Sequence, residues 1–123
     1  MPIEKLTYQK SEGVITAKVT IHNVPSWSYE YREDTTHRND TASNYPMEHT
    51  LGKPHEIHRP LHDWMFLLNN TANHPVGNVK VTITWFQQVQ GVDQQIHDWV
   101  RDHISIKAES GEMVEDRIMM NPV

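Results

Sequence analysis

The stretch His55–Asn70, HEIHRPLHDWMFLLNN, decides how the rest of the chain is read. Leu61, Trp64, Met65 and Leu68 are spaced three and four residues apart, which places them on one face of a helix. Pro60 suits a first helical turn, where its missing N–H has no partner to lose. Asn69-Asn70, then Asn73 and Pro75, stop the run. The spacing therefore predicts a short packing helix over residues 60–70. At about two to three turns it needs tertiary burial to persist. The same stretch carries His55, His58 and His62, spaced H-x2-H-x3-H, with Asp63 adjacent. Converging imidazoles are metal ligands, but Pro60 interrupts the helix face that His58 and His62 would share. A metal site on these three is the weaker reading, and no cofactor or catalytic residue is expected.

On both sides of this stretch the pattern changes to period two. In Gly13–Val24, GVITAKVTIHNV, the residues Ile15, Ala17, Val19 and Ile21 alternate with Thr16, Lys18, Thr20 and His22. Alternation of β-branched and polar residues is the signature of a half-buried strand. After Pro25, SWSYEYRE (Ser26–Glu33) puts Trp27, Tyr29 and Tyr31 on one face; without a basic stripe beside it, this row reads as core or subunit contact. Asn78–Gln90, NVKVTITWFQQVQ, is the strongest strand, with Val79, Val81, Ile83 and Trp85 on one side. Gln90-Gly91-Val92-Asp93 reads as the turn that follows. Gln94–Ala108 fits either a helical stripe (Ile96, Trp99, Val100, Ile104) or a strand (Ile104, Ile106, Ala108). A turn is expected at Ser110-Gly111, with a short strand near Arg117–Met120. Residues 34–53, rich in Asn, Asp, Thr and Ser, read as one long polar loop.

Composition narrows the function. A length of 123 residues fits a single domain. The apolar content of 37% is low for a globular chain, which suits a subunit whose core is completed by a neighbour. Net charge is −5 without a Lys/Arg block, so sequence-specific nucleic-acid binding is not expected. The absence of cysteine removes disulfides, thiolate catalysis and Cys-type zinc sites. No apolar run reaches the length of a membrane span, and MPIEKLTYQK lacks the apolar region of a secretory signal. A cytoplasmic chain without membrane insertion is expected. Neither a nucleophile elbow nor a glycine-rich phosphate loop is present.

The collinear order of three segments resembles the tail-tube proteins of contractile injection machines, among them contractile-phage tubes and the type VI secretion protein Hcp. VPSWSYEYRE (Val24–Glu33) resembles a segment with an "SWSW" or "EYRE" pattern. LGKPHEIHRPLHDWMFLL (Leu51–Leu68) resembles the region leading into their packing helix, with Arg59-Pro60 where those proteins have Arg-Gly. NVKVTITW with QGVDQQIHDWVRDHISIKAESG resembles their long strand and hairpin. The expected fold is a mainly β domain, a barrel or sandwich of antiparallel strands with one short helix. The resemblance implies the barrel, a single tube-like domain over residues 1–123 flanked by that helix, and turns the Gln94–Ala108 ambiguity toward strand. It further implies self-association into six-membered rings stacked as a tube, for a virion tail or a secreted conduit. Sheath, baseplate or cargo proteins would be further partners. Residues 34–53 become an arm toward the adjacent subunit, with Arg32, Glu33, His37, Arg38, Tyr45 and Glu48 as contacts. Two other readings remain: a small cupin-like metal enzyme using His55, His58 and His62, and an accessory protein that binds one partner.

Overall fold

A computed structural model describes residues 3–33, 40–43, 47–58 and 60–123; for Glu33, residues 40–43 and Met47 it describes the backbone. The strands are β1 (Glu4–Tyr8), β2 (Ile15–His22), β3 (Ser26–Glu33), β4 (Asp40–Ser43), β5 (Met47–Gly52), β6 (Leu61–Asn70), β7 (Val76–Val89), β8 (Val92–Ile106) and β9 (Ser110–Pro122). They form two sheets, β1-β9-β6-β3-β4 and β5-β2-β7-β8. All pairings are antiparallel except β1 with β9. The inner faces of both sheets feed one core, so the fold is a β-sandwich, and among the described residues the sheets do not close into a barrel.

The strands expected from alternation are present. Ile15, Ala17 and Val19 of β2 are buried, as are Val79, Val81, Ile83 and Trp85 of β7, and the two strands pair along their length. Trp27, Tyr29 and Tyr31 of β3 are core residues. Gln90 and Gly91 both take positive φ and join β7 to β8 in a two-residue hairpin, the backbone that matches strand twist. Gln94–Ala108 is strand through Ile106, as the resemblance implied.

The expected packing helix over residues 60–70 is instead β6, the middle strand of its sheet. His62, Trp64, Phe66, Leu68 and Asn70 point inward, while Leu61, Asp63, Met65 and Leu67 point outward. The run WMFLL satisfies both periods locally, and its neighbours decide. Tyr31, Tyr29 and Trp27 of β3 face Trp64, Phe66 and Leu68, and Asp116 and Val114 of β9 face Trp64 and Phe66 from the other side. A helix would leave both flanking strands without their ladder, with buried N–H and C=O groups unpaired. Pro60 stands just before the strand, where its carbonyl accepts the Met120 N–H at 2.6 Å.

Residues 34–53 are likewise not one loop, since β4 and β5 lie within them. In β5, His49 and Leu51 are buried between exposed Glu48 and Thr50, an alternation that the polar outward residues disguise. The single helical element among the described residues is a 3-10 turn at Pro54–Glu56. The C-terminal turn lies at Ala108-Glu109, two residues before the expected site, with Glu109 rather than Gly111 at positive φ. The strand after it runs for thirteen residues, well beyond Arg117–Met120.

Candidate functional site

The histidine cluster does not assemble. His55 and His58 are exposed near the 3-10 turn, whereas His62 is inside the sandwich, its Nδ1 3.0 Å from the Tyr31 hydroxyl. Among the described residues no group of three or more His, Asp or Glu side chains is placed to hold a metal. His62 belongs to an aromatic cluster: the Tyr31 ring centroid lies 4.6 Å from Trp64 and 4.4 Å from His49, and Trp64 meets Trp85 edge-on.

The residues expected at subunit contacts divide. Half-buried Arg32 pairs with Glu30 at 2.9 Å on the outer face of its sheet. Glu48 is exposed and pairs with Lys18 at 3.4 Å, across the β2–β5 ladder. Glu33 lies opposite His62 in the β3–β6 register. His37, Arg38 and Tyr45 lie outside the described residues. Of the residues assigned to a packing helix, Trp64 and Leu68 are fully buried, while Leu61 and Met65 face outward and are half-buried.

Another feature has the character of a site. β1 joins β9 from Glu4, opposite Ile118, so among the described residues the preceding part of β9 has no neighbour on this side. A cleft of about 700 Å³ lies at this step, lined by Ile3 and Glu4, by Trp64 of β6, by Trp99 of β8 and by residues 115–117 of β9. Asp116 is only 8% exposed, and its Oδ2 has no hydrogen-bond partner among the described residues. The indole Nε1 of Trp64, directly opposite in the ladder, is likewise unpartnered. Burial, then the charges of Glu4 and Asp63, push the Asp116 carboxyl up to about 7, while the Arg117 backbone N–H pulls the other way. The nearest arginine in sequence, Arg117, turns outward and is held by Asp63 at 2.8 Å. His97 of β8 approaches Glu4 at 3.5 Å, within ion-pair range when the imidazole is protonated. Trp99 stacks on Phe66 with ring centroids 6.2 Å apart.

The sequence alone could not select this group. Sixteen carboxylates are spread along the chain, and only the parallel docking of β1 on β9 brings Glu4 near Asp116. The local signal was Asp116 itself, an acidic residue in phase with Val114, Ile118 and Met120 on an otherwise apolar strand face.

Comparison with protein-family models, curated proteins and solved structures gives no match for this chain. Among the described residues no helix is long and apolar enough to cross a membrane.

Proposed function

We propose that this chain is a structural subunit that associates with copies of itself, and that its assembly is a ring-stacked tube of the contractile-injection type. The observation that carries self-association is the outer face of the β1-β9-β6-β3-β4 sheet. There, Leu67 of β6 and Met113 of β9 stand directly opposite each other, 42% and 58% exposed. Met65 adjoins them, Leu61 and Met119 form another outward apolar pair, and Ile3 is exposed on the flanking segment. A sandwich needs one apolar face per sheet; exposed apolar pairs set among the charged residues of the outer face of its central strands favour an additional partner. The tube form rests on the segments Val24–Glu33, Leu51–Leu68 and Asn78–Gly111 that resemble tail-tube proteins, with β6 in place of their packing helix.

Electron microscopy of the purified protein, with light scattering across a concentration series, tests both levels. Rings or stacked tubes are the expected result. Closed oligomers of another shape would retain self-association and remove the tube. A particle that stays monomeric at the highest concentration would remove both.

A further inference from the structure

We propose that the cleft at the start of β1 is a binding site for a small organic cation, an ammonium group on a short apolar body, with Asp116 as its counter-ion. Three independent observations converge on this chemistry. The first is an unmet need inside the wall: Asp116 and Trp64, both more than nine-tenths buried, line the cleft and carry polar atoms without partners among the described residues. Buried polar atoms are ordinarily satisfied, and those left open mark a place where water or a ligand completes the set. The second is the sign of the charge. Four carboxylates, Glu4, Asp63, Glu115 and Asp116, line the cleft with two arginines, and Arg117 is taken up by Asp63 and Arg32 by Glu30, so Glu4, Glu115 and Asp116 stand in excess of the lining cations. His97 faces Glu4 and is the one further basic group close to this carboxylate set among the described contacts. An anionic ligand would meet uncompensated carboxylates, whereas a cation relieves their repulsion. The third is the remainder of the lining: the indole of Trp99 and the aliphatic Ile3 and Met65 suit an apolar body, and an indole favours an adjacent cation through its ring quadrupole. A bare metal ion is the poorer fit, because no three ligating side chains converge among the described residues.

Occupancy should follow the ionisation of Asp116. The acid is held up to about 7 by burial and by Glu4 and Asp63. A cation therefore binds more weakly below that pH, where it must first displace the proton, and reaches full affinity above it. The other charged groups lining the cleft are Glu4 on β1, Arg32 on β3, Asp63 on β6, and Glu115 and Arg117 on β9, and His97 on β8 faces Glu4.

Titration with benzylamine and with its neutral isostere benzyl alcohol tests the site, read by indole N–H shifts in nuclear magnetic resonance spectra and by tryptophan fluorescence. Benzylamine is expected to saturate with a Kd on the order of 1 mM, more tightly at pH 8 than at pH 6. Asp116→Asn keeps the shape of the side chain and removes a charge that burial disfavours, so the variant should remain folded, as circular dichroism would show. It should weaken benzylamine binding by about tenfold or more, the loss of a close ion pair, and abolish the pH dependence. Trp99→Ala should weaken binding while leaving the pH dependence in place. No saturable binding, equal affinity for the amine and the alcohol, or an Asp116→Asn variant that binds like the parent would each overturn the proposal.

Discussion

A buried amide destabilises a fold unless its polar atoms find partners, and Asn70 and Gln87 meet that condition in corresponding ways at the margins of the sandwich. The Nδ2 of Asn70 donates to the carbonyls of His74, Lys107 and Ile106 at 2.9, 3.1 and 3.3 Å, and its Oδ1 accepts the Ala72 N–H. Gln87 donates to the carbonyls of Gln9 and Gly13 and accepts the Gln9 N–H, tying the β1–β2 connection to β7. Asn70→Asp should therefore be worse than Asn70→Ala, because it sets a carboxylate among three carbonyls. A loss of about 3 kcal/mol or more is expected in urea denaturation. Asp116 supplies the opposite case, a buried acid without a full set of partners. Below its ordinary value of 3.8, folded and unfolded chains both hold the proton. Between 3.8 and about 7 the folded chain binds the extra proton, so stability falls as pH rises, by up to roughly 4 kcal/mol in all, and is level above about 7. In Asp116→Asn this descent should disappear, leaving the variant the more stable protein at pH 8 and close to the parent near pH 4. Parallel denaturation curves for the two proteins across that range would contradict the burial of Asp116.

At the scale of the element, β6 separates what a sequence can say from what its neighbours impose. In a helix Leu61, Trp64, Met65 and Leu68 would share the buried face; in the strand Trp64 and Leu68 stay inside, Phe66 joins them, and Met65 turns outward. Phe66→Ala should cost about 3–5 kcal/mol, and so should Trp64→Ala. Met65→Ala should cost about 1 kcal/mol or less in the isolated subunit. Thermal unfolding of the three variants checks the order, and a Met65 loss matching that of Trp64 would restore the helical face. β2, β3 and β7 were legible because strict alternation of branched or aromatic residues with polar ones has only one structural solution. β6 was not, because five consecutive apolar residues, Trp64–Leu68, satisfy either period. β1 and β5 were missed because they are short and polar on their outer sides, and their burial depends on β9 and β2. β8 stayed ambiguous because nearly all of it is exposed or half-exposed, so no buried face imprints a period. The candidate site was hidden for a related reason: Glu4 and Asp116 are 112 residues apart in sequence and meet only through the β1–β9 register.

For the whole molecule, two surfaces among the described residues predict different behaviour toward a partner. One is the outward edge of β8, fifteen residues long, at the end of its sheet. Long unpaired edges attract other strands, and proteins blunt them with charge and bulges. β8 carries Asp93, Asp98, Arg101 and Asp102, its register against β7 shifts at three places, and His103 takes positive φ. That edge is defended. The other surface is the outer face centred on Leu67 and Met113, and their immediate neighbourhood includes Met65 as well as Glu30 and Ser28. If copies associate through this face, Leu67→Glu with Met113→Glu should convert the assembly to monomers, because each carboxylate would be desolvated at the contact. The isolated domain should keep its melting temperature, since both residues point away from the core. Val100→Lys, on the β8 edge, should leave the assembly intact. Light scattering and calorimetry on the two variants decide between the surfaces. Loss of assembly in Val100→Lys alone would move the interface to the edge, and an assembly unaffected by either variant would place it on neither surface.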